Sequence, residues 1–248
     1  MVLPKGSAAA LSKSLRLYHG HADRNAAMDA LYGRFLEPGD LAFDIGAHVG
    51  DRISSFRRLG ARVVALEPQP GPARVLRLIH GRDAGVTLLA AAAGDAEGSL
   101  TFHLNTANPT VSTASDAFLK AAEGAGGWEG QVWDEAITVP CTTLDRLIGD
   151  HGRPAFVKID VEGFEDRVLA GLTTPVPALS FEFTTIARDV ARRCLDRLAA
   201  LGSYRFDVAL GETQVPTFGT FVDREIMAAH LRSLPHAANS GDVYAVLA

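Results

Sequence analysis

The chain has almost no cysteine. Cys141 and Cys194 are the 2 thiols among 248 residues, far apart, with no C-x-x-C and no Cys/His companion spacing. That argues against a disulfide scaffold or a structural zinc site and makes a reducing cytoplasm the expected compartment. No apolar run approaches the roughly 18 residues that a membrane helix requires. The opening stretch "MVLPKGSAAALSKSLRLYHGHADR" lacks the unbroken apolar core of a signal peptide, so no membrane association is expected. A basic stripe is missing too: the 24 Lys and Arg are scattered, the formal charge is -5, and nucleic acid is not expected as a partner. What is present, 47% hydrophobic and 21% charged residues, suits one soluble α/β domain with a full core.

Hydrophobic patterning divides the chain into alternating elements. "LAFDI" (41–45) is a short apolar run ending in an acid, and "DRISSFRRLG" behind it reads as a helix with Ile53, Phe56 and Leu59 about one turn apart. "ARVVALEP" (61–68) is a second buried strand, "PARVLRLIH" a helix, and "GVTLLAAAA" (85–93) a third strand. This β-α-β-α-β order predicts a parallel sheet covered on both faces. "AFVKIDVEG" (155–163) and "ALSFEF" (178–183) read as further core strands, the segment 186–201 as an amphipathic helix, and "YRFDVAL" and "DVYAVLA" as the last two strands. Residues 1–35 form a helical lead-in, frayed before Ala8, and 36–248 a single domain carrying a long loop insertion at 105–136. A loop of that length is usually functional or disordered. Its Trp128 and Trp133 either close over a ligand or, as the better reading, anchor the loop to the sheet.

The turn "DIGAHVGD" lies where an alternating sheet binds ligands, just past the C-terminal end of its first strand. Glycines alone are weak evidence, since any strand-to-helix turn uses them for positive φ. The second strand, however, ends in Glu67, placed to accept hydrogen bonds from ribose hydroxyls. A pyrophosphate dinucleotide calls for G-x-G-x-x-G. Here His48 takes the middle glycine's place, and Asp51 sits at the helix start where a phosphate would otherwise profit from the dipole. Asp44 and Asp51 beside the turn favour a ligand with positive groups. S-adenosylmethionine has a sulfonium, an ammonium, a ribose and no phosphate, and is the expected cofactor. An NAD(P)-dependent oxidoreductase and a non-catalytic cofactor-binding module remain the alternatives.

"DIGAHVGD", "ALEPQP" and "VKIDVEGFEDRVLAG" resemble the three signature blocks of the FkbM-type methyltransferases, the third being the most distinctive. The likeness spans roughly residues 36–185. It implies a Rossmann-like class I methyltransferase fold: a mostly parallel seven-stranded sheet with an antiparallel C-terminal strand and helices on both faces. It also implies S-adenosylmethionine as methyl donor and a small-molecule or glycan acceptor, methylated on a hydroxyl of a sugar or natural-product scaffold. By the same resemblance Asp44, Gly46 and Gly50 line the methionine portion, with Ala47, His48 and Pro68 in the same two blocks. Glu67 holds the ribose, and Asp95 is a candidate for the adenine amino group, its plain alternative being a turn cap before Gly98. The family commonly has Asn where this chain has His48. A homodimer is left open.

Chemistry needs a proton acceptor as well as a donor. Asp160, Glu162 and Glu165 stand at and past the end of the fourth core strand, and continued extension would send Asp160 and Glu162 to one side. Asp160 ends an apolar run, so its pKa should be raised unless Lys158 or a backbone amide offsets the burial. Either Asp160 or Glu162 is expected to orient or deprotonate the acceptor hydroxyl. The plainer alternative makes Glu162 and Gly163 a turn, with Glu165 stabilising the helix start. Glu182 ends the fifth core strand at the same sheet edge, and spacing alone allows Asp160, Glu162 and Glu182 to gather around Mg2+. Among the histidines at 19, 21, 48 and 103, only His48 lies at the cofactor turn.

Overall fold

The computed structural model describes residues 7–248; the frayed end expected before Ala8 lies, apart from Ser7, outside them. The lead-in is two helices, α1 (Ser7–His19) and α2 (Ala22–Tyr32). Then come β1 (Leu41–Ile45), α3 (Asp51–Arg58), β2 (Arg62–Leu66), α4 (Pro70–His80), β3 (Val86–Leu89), β4 (Ala92–Ala93) and β5 (Gly98–Leu104). The remainder is α5 (Asp116–Ala122), β6 (Glu135–Thr142), α6 (Leu144–His151), β7 (Phe156–Ile159), α7 (Glu165–Ala170), β8 (Ala178–Thr184), α8 (Arg188–Leu201), β9 (Tyr204–Leu210), α9 (Arg224–Ser233) and β10 (Ser240–Leu247).

Seven strands form one sheet in the order β3-β2-β1-β7-β8-β10-β9. All pairings are parallel except those of β10, which runs antiparallel to both β8 and β9. Strand alternation splits the core into two layers. Phe43, Ile45, Val64, Val157 and Ile159 pack on one face under α6 to α9. Ala42, Val63, Ala65 and Phe156 meet Met28, Ile53, Phe56 and Leu76 from α2, α3 and α4 on the other. The sheet therefore has helices on both sides, and its parallel strands end together along one edge. This is the mostly parallel seven-stranded sheet with one antiparallel strand and helices on both faces that the resemblance implies.

Two strands end earlier than their sequence suggests. The expected third strand, 85–93, breaks after Leu89, and Ala92–Ala93 joins a second, three-stranded sheet, β4-β6-β5. An unbroken alanine run carries no alternation to mark the departure. The strand expected over 155–163 stops at Ile159, because Glu162 (φ 53°) and Gly163 (φ 82°) turn left-handed. The segment 105–136 contains α5 and a short 3-10 turn, Pro109–Val111. Its tryptophans hold the insertion together and do not tie it to a strand: Trp128 packs edge-on against Phe118 with ring centroids 5.1 Å apart, Trp133 Nε1 donates to Val111 O at 2.8 Å, and the cluster rests on Ile186 and Ala187 after β8.

Candidate active site

The β1 turn is fixed by backbone. Gly46 and Ala47 N–H donate to Leu66 O at 3.0 and 2.9 Å, tying the end of β1 to the end of β2. Gly46 has φ 88°, and a Cβ there would lie 1.8 Å from the carbonyl oxygen of Asp160. Glycine at this position thus lets the β1 turn touch the end of β7. His48 also has positive φ, 46°, and its N–H donates to Glu67 Oε2 at 2.8 Å while Gln69 N–H donates to Oε1 at 2.8 Å. Burial pushes the Glu67 carboxyl up to about 7, against the lowering effect of these two amides. Burial likewise raises Asp44 to about 7, and its Oδ2 is buried with no hydrogen-bond partner among the described residues. The His48 ring, lowered by burial to about 4, is neutral at physiological pH.

These groups open onto a common cleft. Asp44, Gly46, Ala47, His48, Glu67 and Pro68 line it from the β1 and β2 ends, and Asp160 and Glu162 from the β7 end. Ala92, Ala93 and Phe102 of the small sheet supply an apolar side. An orphaned carboxylate oxygen on Asp44, a carboxylate on Glu67 with lone pairs to spare, and an apolar wall fit a nucleoside that carries positive groups.

Three expected positions are placed otherwise. Gly50 does not line the cleft; it precedes α3, where a Cβ would press on Leu76 and His80. Asp95 is absent from the lining and meets Arg167 at 2.5 Å, an ion pair at the surface. Asp51 lines the cleft but is not a free acid. Arg52 and Arg24 bond its Oδ2 at 2.5 and 2.8 Å, and their charges outweigh burial to hold it at about 2. Its charge is already spent on two guanidinium groups, so it does not favour a cationic ligand as the sequence suggested.

The β7 edge is built from charge. Lys158, only 1% exposed, donates to Asp242 Oδ1 at 2.7 Å and to Asp160 Oδ2 at 3.1 Å. Burial raises Asp160, but Lys158 and then Arg52 outweigh it, and the carboxyl lies below its ordinary range. Lys158 thereby supplies the offset weighed against a raised value. Asp160 and Glu162 do come together, though through the turn and not through an extended strand: one oxygen from each, and one from Glu182, lie within 4.8 Å of one another. Burial, then the charges of Asp160 and Glu165, push Glu162 well above the carboxylate range. Glu165 accepts from the N–H groups of Val161 and Gly163, so its part is to hold the turn. Thr113 Oγ1 donates to Glu162 O at 2.7 Å, fastening the long insertion to the same turn.

Sequence reasoning missed Tyr18, Arg52, Gln69, Asp242 and Glu212. Tyr18 reaches the cleft from α1, its ring edge-on to His48 at 5.8 Å. Glu212, from the β9–β10 connection, closes the same side by pairing with Arg24 and Arg52. The available signal was Lys158 itself: a lysine inside an apolar strand demands a buried acid, and "GDVYAVLA" carries one in Asp242. The other expected histidines, 21 and 103, do not line the cleft, and His19 Nε2 lies 2.8 Å from Val49 O just behind it.

The model of the Methyltransferase FkbM domain matches residues 44–197, from the acid at the end of β1 into α8. No match is found among curated proteins. Similar solved structures include an O-methyltransferase from Bacillus cereus in complex with SAH, 12% identical, covering 100% of this chain and 94% of that one at a TM-score of 0.47. Another is the precorrin-6Y C5,15-methyltransferase from Geobacter metallireducens GS-15, at 14% identity, 90% and 87% coverage and a TM-score of 0.46. A third is a TehB-like SAM-dependent methyltransferase from Corynebacterium glutamicum, at 8% identity, 90% and 88% coverage and a TM-score of 0.47. The domain match, which takes in more than half of the chain and both sides of the cleft, sets aside the oxidoreductase alternative: the chain belongs to the FkbM family of S-adenosylmethionine-dependent methyltransferases.

Proposed function

We propose that the protein methylates a hydroxyl of a sugar or natural-product small molecule, with Asp44, Gly46, Ala47, His48, Glu67 and Pro68 forming the cofactor half of the cleft. The carrying observation is that Asp160 and Glu162 line the same cleft as Asp44 and Glu67. When bound, S-adenosylmethionine supplies a methyl group already activated by its sulfonium, which leaves alignment and proton acceptance to the protein. Glu67 has lone pairs left to accept from ribose hydroxyls after its two amide bonds. Asp44 Oδ2 is free to accept from a positively charged N–H. Asp160, pinned by Lys158, orients the acceptor hydroxyl through its other oxygen. Glu162, with no hydrogen bond to its carboxylate among the described residues, takes the proton in its ionised form, whose raised pKa makes it the stronger base. The new O–CH3 bond forms as the S–CH3 bond breaks.

Incubation with methyl-labelled cofactor and pools of glycans and polyketide-type alcohols tests this. Labelled methyl ether is expected, and turnover should fall about a hundredfold or more in Asp160→Asn while cofactor affinity stays unchanged. Equal loss of turnover and affinity would make Asp160 a binding residue. Cofactor binding without transfer to any pool would favour a non-catalytic module.

A further inference from the structure

Methyl transfer leaves one feature of the β7–β8 edge unexplained. Asp160, Glu162 and Glu182 reach a common point from three places: the end of β7, the left-handed turn after it, and strand β8, with one oxygen of each inside 4.8 Å of the others. Carboxylates so close repel one another. Counting Asp242, four acids face the single ammonium of Lys158, whose bonds to Asp160 and Asp242 are already made. Glu162 is 7% exposed, makes no side-chain hydrogen bond among the described residues, and points at the other two. Glu182 Oε2 is also buried without a hydrogen-bond partner among the described residues. Glu165, two residues past the turn, shows how this chain treats a carboxylate used only for structure: backbone amides of Val161 and Gly163 satisfy it. Buried carboxylates without partners are strongly unfavourable, so such acids either hold a proton or are completed by a cation, and three of them converging on one point present a cation with ready ligands.

We infer that Asp160, Glu162 and Glu182 form a binding site for one divalent, oxygen-preferring metal cation beside the acceptor half of the cleft. Oxygens on opposite sides of a coordination shell about 2.1–2.4 Å in radius stand about 4.2–4.8 Å apart, so the spacing admits ions from magnesium to calcium in size. The donor set has neither thiolate nor imidazole, which argues against zinc or copper. A divalent ion answers the local excess of acid better than a second ammonium would. Each residue gives the ion one oxygen. Asp160 keeps its Oδ2 on Lys158 and, with the ion in place, orients the acceptor hydroxyl through the metal bound to its other oxygen, while Glu162 keeps its other oxygen for the proton. Only what fills the open coordination positions, the acceptor hydroxyl, rests on the methyl-transfer reading.

The full-length chain, stripped with chelator, is titrated with Mn2+ and the free ion counted by electron paramagnetic resonance. One Mn2+ per chain is expected, with affinity lowered about tenfold or more in Glu182→Gln and in Glu162→Gln, and a Mn2+-dependent rise in Tm that both variants lose. Absence of binding at millimolar Mn2+, or equal binding by the wild type and a folded variant, overturns the site; Glu182, half-buried on its strand, keeps the test open if Glu162→Gln does not fold. Calorimetry with S-adenosylmethionine on the same stripped protein separates the two readings. Cofactor binding without Mn2+ binding removes the metal site alone, and Mn2+ binding without cofactor binding removes the methyl-transfer reading alone.

Discussion

The two halves of the cleft hold their carboxylates by different means. At the β1–β2 end, Glu67 is gripped by the amides of His48 and Gln69, and the turn that carries His48 is hydrogen-bonded to Leu66. At the β7–β8 end, Asp160, Glu162 and Glu182 crowd together, and side-chain charge from Lys158 is their main support. Backbone fixes the first half and ionisation the second. A site that must present the same cofactor on every turnover gains from the first arrangement, because amides do not titrate. A site that must accept a proton gains from the second. Substitutions should therefore divide the same way: at the first end they disturb the fold or cofactor affinity, at the second turnover.

The largest effect is expected at Gly46→Val. Its φ of 88° and the 1.8 Å approach of a Cβ to Asp160 O combine left-handed strain with an overpacked contact against immovable backbone, together about 2–5 kcal/mol. Loss of cofactor binding should come with a lower urea midpoint, where the turn motif by itself suggests lost binding in an intact fold. A wild-type midpoint would show that the β1 turn is not held against β7.

Glu67 sharpens the comparison at smaller cost. Glu67→Ala should weaken cofactor binding by about 1–3 kcal/mol through a lost charge-assisted hydrogen bond; an unchanged dissociation constant would remove Glu67 from the site. Its pH dependence has a definite sign. The folded carboxyl titrates at about 7 against an ordinary 4.5, so the ionised acceptor is lost as pH falls through 7, and affinity should drop between pH 8 and 6. The cofactor-free fold responds in the opposite sense, since it holds this proton more tightly than the unfolded chain: rising pH from about 4.5 to 7 removes stability. Calorimetry of Glu67→Gln should show weak binding with no such slope. A slope that survives in the variant would pass the titration to Asp44, which lies near the same value.

Legibility followed the same division. The β1 strand, its glycine turn and the acid at the end of β2 are local features, written in consecutive residues whose period and turn chemistry are plain. The far half depends on register between distant strands. Asp242 stands opposite Glu182 only because β10 returns antiparallel beside β8, and the Lys158–Asp242 bond joins residues 84 positions apart. No spacing rule reveals that. An extended strand would put Asp160 and Glu162 on one side, yet it is a left-handed glutamate that brings them together. Asp51 misled because its two arginine partners come from α2 and α3, one of them 27 residues upstream and invisible to a motif.

The smallest effect is expected at Asp95, and it tests whether the cofactor half ends where the geometry ends it. Asp95 is 38% exposed in its side chain and its ion pair with Arg167, itself 54% exposed, lies off the cleft. An exposed pair of this kind contributes about 0–1 kcal/mol to stability and is screened by salt. Asp95→Asn should shift the unfolding free energy by no more than that, with the shift vanishing in high salt, and should leave the cofactor dissociation constant where it was. An acid that held the adenine amino group would behave in the opposite way, weakening affinity severalfold with stability untouched. Measured together, affinity and salt-dependent stability decide whether the turn after β4 is a binding element, and only the second pattern would extend the amide-built half of the cleft beyond Glu67 and Gln69.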